Sequence, residues 1–191
     1  MSSHENRESW LAAAVEELRP WFKEINVNLP DAIRVACGWS KRSGKGIGWC
    51  WKSKASRDGT SEILVSPELE DPIAVLEVLV HELIHASDDG ESEHKGEFKV
   101  RALAMGLEGK MTATRAGTVL RARLADLKDR LGPYPHAKIN PAMAAIKPQT
   151  TRMLKLTCPD DGYTVRTTQK WIDVGLPACP CGAQMELATA P

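Results

Sequence analysis

No run of apolar residues in this chain is long enough to cross a bilayer. The longest strongly apolar stretch, Ile73 to Ile84, is interrupted by Glu77, His81 and Glu82, whereas a spanning helix needs about 20 predominantly apolar residues. No secretory leader is expected either, since MSSHENRESW is polar and acidic, with no basic segment leading into an apolar one. A cytoplasmic protein with no membrane partner is the expectation. Cysteines are few and odd in number, five in all, which without a leader argues against a disulfide framework. There is no internal repeat and no low-complexity tract. What is present, 42% hydrophobic and 26% charged residues in 191, suffices for one ordinary domain with a small appendage and excludes a large multidomain machine.

Net charge is zero, 25 basic against 25 acidic residues, but the sum hides zones. Residues 34–57 carry seven bases and no acid, residues 58–108 thirteen acids against three bases, and residues 109–170 twelve bases against four acids. Basic zones on either side of an acidic centre suit a polyanion at the edges and a cation, such as a metal, in the middle.

Apolar spacing predicts a first helix over 9–24, kinked or divided by Pro20. Alternation at Ile33, Val35, Cys37 and Trp39, and at Ile47, Trp49 and Trp51, predicts two strands, with a third at Glu62 to Val65. Together they would form a small antiparallel sheet, its tryptophans facing a core. Asp71 and Pro72 signal the start of a helix reaching about Asp88, apolar almost all round and therefore crossing the core. Further helices are expected from Lys95 to about Leu107 and from Thr114 to Leu131. The proline-containing stretch 133–152 reads as a linker with one helical turn near Ala142 to Ile146, and 153–191 as a second unit with three short strands and too little core to stand alone.

The buried helix contains His81-Glu82-Leu83-Ile84-His85. Imidazoles four residues apart lie on one side of a helix about one turn apart, so both reach a single ion, and zinc suits them. Glu82 lies about 100° round from His81 and flanks the ion, where a carboxylate can act as general base toward a water the metal acidifies. His94 is the favoured third ligand, and Glu97, on the following helix, is the alternative. An H-E-x-x-H of this composition arises by chance in roughly one such sequence in a hundred. The bland alternative is a pair of histidines hydrogen-bonded within a core.

These residues, followed by His94-Lys95-Gly96-Glu97-Phe98 and Ala104-Met105-Gly106-Leu107 and then by a cysteine-bearing C-terminal unit, resemble the SprT-like zinc metalloproteases, which include the Spartan DNA-protein crosslink proteases. The resemblance covers residues 10–110 loosely and 81–107 closely. It implies an α+β, zincin-like protease domain over 1–132, with His81, His85 and His94 on a catalytic zinc and Glu82 as catalytic base. It further implies DNA-associated protein substrates. One departure is Lys95, which stands where glycine usually follows the third histidine, while Phe98 keeps its expected offset.

Cys158, Asp161, Cys179 and Cys181 resemble the two knuckles of a zinc ribbon in which one cysteine is replaced by aspartate. Three thiolates and a carboxylate could hold a structural zinc that supplies the stability the small core lacks; a vestigial ribbon folding without metal is the alternative. Arg166, Lys170 and Trp171 beside the knuckles, and Lys41, Arg42 and Lys45 in the first basic zone, are candidate nucleic-acid contacts. The expected protein is thus a monomeric zinc endopeptidase acting on DNA-associated or DNA-crosslinked proteins, with an extended substrate paired to the sheet edge near Ser61 to Ser66. The competing reading is a transcription-associated, nucleic-acid-binding zinc protein without proteolytic activity.

Overall fold

The computed structural model describes residues 4–40, 46–144 and 153–188. The chain divides into two compact units, Met1–Pro141 and Ala142–Pro191. The first contains helices α1 (Arg7–Glu24), α2 (Pro72–Ala86), α3 (Gly96–Met105) and α4 (Thr118–Leu131), with strands β1 (Ile33–Cys37), β2 (Gly48–Trp51), β3 (Ser61–Val65), β4 (Leu107–Lys110) and β5 (Ala113–Ala116).

Helix α1 begins at a capping box: Ser9 N donates to Asn6 Oδ1 (2.8 Å) and Asn6 N to Ser9 Oγ (3.4 Å). It is not divided at Pro20. Pro20 and Glu16 both lie on its exposed side, where water can satisfy the Glu16 carbonyl that loses its partner. The opposite face buries Trp10, Leu11, Ala14, Leu18 and Phe22.

The first sheet is mixed, not antiparallel as the alternation suggested. Its order is β1-β3-β2, with β3 parallel to β1 and antiparallel to β2, so that Ile63 pairs with both Val35 and Cys50. The physical reason is burial. Ile63 and Val65 are 1% and 0% exposed, so β3 takes the middle, and the long connection from Gly38 to Ile47 lets the chain step over a strand width as a tight hairpin could not. Ser61 to Ser66 therefore offers no free edge to a substrate; β1 and β2 are the outer strands. Nor do the tryptophans form the expected core face, since Trp39 is half exposed and Trp49 and Trp51 are half-buried.

Helix α2 starts where Asp71 accepts hydrogen bonds from the backbone N–H groups of Ile73 and Ala74 (both 3.3 Å). Val75, Leu76, Leu79, Val80, Leu83 and Ile84 along it are fully buried, and α1, α3, α4, β2, β3 and β5 all pack against it. The helix expected from Thr114 begins instead at Thr118. The residues before it form a β4–β5 hairpin, pairing Leu107 with Ala116 and Glu108 with Arg115. Burial alternates along β5, with Thr114 and Ala116 turned inward, and the helical spacing belongs to Leu120, Leu124, Leu127 and Leu131 beyond it.

The start of the stretch read as a linker is tied to the first unit. Buried Arg7 donates to the carbonyls of Pro67 (3.1 Å), Pro135 (3.1 Å) and Ala137 (2.8 Å), and Ile139 N donates to Pro67 O (2.9 Å). The helical turn expected near 142–146 is found at Pro141–Ala144 as a 3₁₀ turn. Residues 145–152 lie outside the described residues.

The second unit is an antiparallel sheet of order β7-β6-β8, made from β6 (Leu154–Thr157), β7 (Thr164–Thr167) and β8 (Glu186–Leu187), with a short helix α5 (Gln169–Val174). Among the described residues its buried cluster consists of Leu156, Cys158, Cys179 and Met185, with half-buried Val165, Ile172 and Ala183 packed against it. Among the described residues of the chain, no helix is long and apolar enough to cross a membrane.

Because proline costs about 3 kcal/mol relative to alanine inside a helix, Pro20→Ala is expected to stabilise the first unit by roughly 1–3 kcal/mol. A denaturant midpoint that falls would show instead that the ring is required by the packing of α1.

Candidate metal centres

The structure brings His81, His85 and His94 together. His94 Nε2 lies 3.3 Å from His81 Nε2 and 3.2 Å from His85 Nε2, and the three ligand atoms all fall within 4.8 Å of one another. A tetrahedral zinc bound by nitrogen at about 2.0–2.1 Å sets its nitrogens roughly 3.3–3.4 Å apart, so the donor set fits the ion in both chemistry and spacing. Glu97 is not part of the cluster; its largely exposed carboxylate faces Arg101 at 3.7 Å.

His94 comes back to the helix on a turn that is pinned at several points. Gly90 N donates to His85 O (2.8 Å), and the Asp88 carboxylate accepts from Gly90 N (3.0 Å) and Ser92 N (3.2 Å). Asp89 and Glu93 take left-handed backbone conformations, φ +54° and +50°. Asp89 in turn accepts hydrogen bonds from the backbone N–H and the hydroxyl of Ser53, while Lys52 pairs with Glu91 at 2.7 Å. The strained turn is thereby braced by the segment that follows β2.

Beneath the imidazoles lies Phe98, fully buried, with ring centroids 4.9, 4.3 and 5.1 Å from those of His81, His85 and His94. Burial, followed by the neighbouring histidines, depresses the His81 pKa to about 3 and that of His85 to about 4; burial lowers His94 also. Neutral imidazoles present lone pairs, the form a metal requires.

Glu82 is 6% exposed, and burial alone pushes its pKa up to about 8. It is accommodated by Gly48 on β2, where a Cβ would stand 2.5 Å from both Glu82 Oε1 and Val78 Cγ1. Cys50, two residues along β2, has its thiol pushed up to about 12 by burial and by the Glu82 carboxylate. Sequence reasoning did not find Gly48, although a glycine between Ile47 and Trp49 in an alternating strand is itself a sign of close approach by another group. It also missed Thr114, whose Oγ1 lies 2.8 Å from His81 Nδ1.

The second centre gathers Cys158, Asp161, Cys179 and Cys181 within 4.8 Å. Cys158 Sγ and Cys181 Sγ are 3.5 Å apart, and Cys179 Sγ lies 3.6 and 3.4 Å from the two Asp161 oxygens. Zinc–sulfur bonds of about 2.3 Å and a zinc–oxygen bond of about 2.0 Å imply a sulfur–oxygen edge of about 3.5 Å. Asp161 is oriented by Tyr163 N, which donates to Oδ1 at 2.9 Å. Both centres are candidate metal sites whose donors suit zinc.

Of the candidate nucleic-acid contacts, Arg166 and Lys170 are exposed and Trp171 is 58% exposed. Lys170 Nζ sits 5.1 Å from the centroid of the Trp171 ring, and Arg166 pairs across strands with Lys155, placing two positive charges side by side. Lys41, Arg42 and Lys45 lie outside the described residues.

The purified chain is expected to carry two zinc ions, read by elemental analysis. His85→Ala should remove one and Cys179→Ser the other, and retention of both by either variant would refute that assignment. Gly48→Ala should cost about 1–3 kcal/mol by overpacking, measured by denaturant unfolding, because the stiff Val78 and the buried Glu82 carboxylate leave a Cβ no room. No family model, no curated protein and no solved structure matches this chain.

Proposed function

We propose that the chain is a zinc-dependent endopeptidase of the SprT-like type, hydrolysing DNA-associated or DNA-crosslinked proteins. One observation carries the reading: a core helix supplies two imidazoles, His81 and His85, and the buried carboxylate of Glu82 beside them, and the turn after it brings the His94 imidazole onto the same two nitrogens. When bound, zinc supplies Lewis acidity toward a carbonyl oxygen and acidifies a water. Glu82 takes the proton of the attacking water and returns it to the leaving amine, work for which a carboxylate with a raised affinity for protons is suited.

The substrate is an extended chain. With β3 enclosed, the sheet edge that reaches the site is β2, which touches Glu82 through Gly48; a peptide added to that edge would lie beside the carboxylate, and cleavage would favour unfolded segments. DNA is the proposed second partner, supported by the two basic zones and by exposed Arg166, Lys170 and Trp171.

Glu82→Gln should abolish cleavage of a DNA-bound protein while leaving zinc content and DNA binding unchanged. Cleavage by the wild type alone, stimulated by DNA, is the expected result. Full zinc occupancy and DNA binding with no cleavage by either protein would overturn the peptidase reading in favour of a nucleic-acid-binding zinc protein.

A further inference from the structure

The β4–β5 hairpin has no place in the chemistry so far, yet it meets α2 at the metal centre. Thr114 Oγ1 lies 2.8 Å from His81 Nδ1, and two residues further along β5 Ala116 N donates to Glu77 Oε1 at 3.3 Å. The two contacts match in pitch. Two residues of a strand advance about 6.6–6.8 Å, and four residues of a helix about 6.0 Å, so Thr114 and Ala116 on one face of β5 meet His81 and Glu77 on one face of α2. Arg121 clasps the same Glu77 carboxylate at 3.1 Å, and Gly117 N donates to Gly106 O at 2.9 Å, which closes the base of the hairpin. Thr114 is thus held in place from both sides and is not a side chain that happens to pass nearby.

An imidazole has one proton to place when neutral, and the nitrogen that carries it cannot ligate. His81 turns Nε2 toward the other two histidines and Nδ1 toward Thr114. We propose that Thr114 is a positioning residue for the metal: its hydroxyl oxygen accepts a hydrogen bond from His81 Nδ1–H, which keeps the proton on Nδ1, leaves the Nε2 lone pair free and locks the ring toward the centre. The inference rests on the histidine centre holding zinc, but not on what that zinc does. A hydrogen bond to the second nitrogen of a metal-bound histidine typically changes metal affinity by about 10–100-fold, and a hydroxyl in this position comes from a strand that no metal-site motif includes.

The test uses the full chain and zinc itself, with affinity at the histidine centre measured by competition with a chelator and that centre identified as the one lost in His85→Ala. Thr114→Val should weaken this affinity by about 10–100-fold while leaving the thiolate centre unchanged. In the zinc-loaded protein, the His81 Nδ1 proton should give a resolved, slowly exchanging resonance in the wild type that disappears by exchange with water in Thr114→Val. Thr114→Ser, which keeps the hydroxyl, should retain both the affinity and the resonance, and thermal unfolding at saturating zinc separates loss of the bond from loss of the fold. Wild-type affinity in Thr114→Val, or a Thr114→Ser as impaired as the valine variant, would overturn the proposal. If His85→Ala removed no zinc, the metal assignment itself would fail first, and the role of Thr114 with it.

Discussion

Three imidazole lone pairs pointing at one another across 3.2 and 3.3 Å repel unless a cation stands between them. Much of the first unit consists of elements that impose this arrangement. Helix α2 supplies two of the nitrogens from one face, the turn braced by Asp88 and Ser53 returns the third, Phe98 fills the space below, and β5 closes against His81 from the side. All of these contacts are made by the chain's own groups, and the strain of two left-handed non-glycine residues in the turn is offset by the hydrogen bonds around them.

The same helix must be apolar to build the core and polar to offer the candidate metal ligands. Eight of its fifteen residues are buried, Glu82 among them, while Glu77, His81 and His85 are half-buried where β5 and the following turn meet the helix. Glu82 bears the cost: burial raises its pKa, and the carboxylate finds room only because β2 has no side chain at Gly48. In a low-dielectric setting the cation and the carboxylate would act on each other far more strongly than in water, which explains why a site of this kind belongs inside a core helix and not on a loop.

In the second unit, a metal at the thiolate centre would supply what a core supplies elsewhere. Leu156 and Met185 with two of the cysteines form nearly all of the buried cluster, too little apolar area to offset the ordering of the chain. A metal held by these candidate ligands would be a structural member, with Asp161, exposed and hydrogen-bonded by Tyr163 N, in the place of a fourth thiolate.

The helical period of α2, the capping residues at Asp71 and Pro72, the i, i+4 histidines and the sparse core beyond residue 153 are local patterns, and they were legible from the residues alone because each depends on neighbours within a turn or two. The return of His94 was legible from its chemistry and from the turn that follows the helix, whereas the hydrogen bonds to Asp88 and from Ser53 that pin that turn were not. The sheet order was not legible, since alternation marks a strand without naming its partner, and β3 won the centre through burial against helices far away in the chain. Helix α1 is not divided at Pro20, where the Glu16 carbonyl that loses its partner lies on the exposed side within reach of water. Thr114 and Gly48 belong to the site through contacts spanning 33 and 34 positions (114 − 81 and 82 − 48). The sequence by itself determined which residues could bind metal and on what kind of element they would stand; which neighbours would orient, shield and make room for them was decided only when the chain folded, because those interactions are set by distance in space.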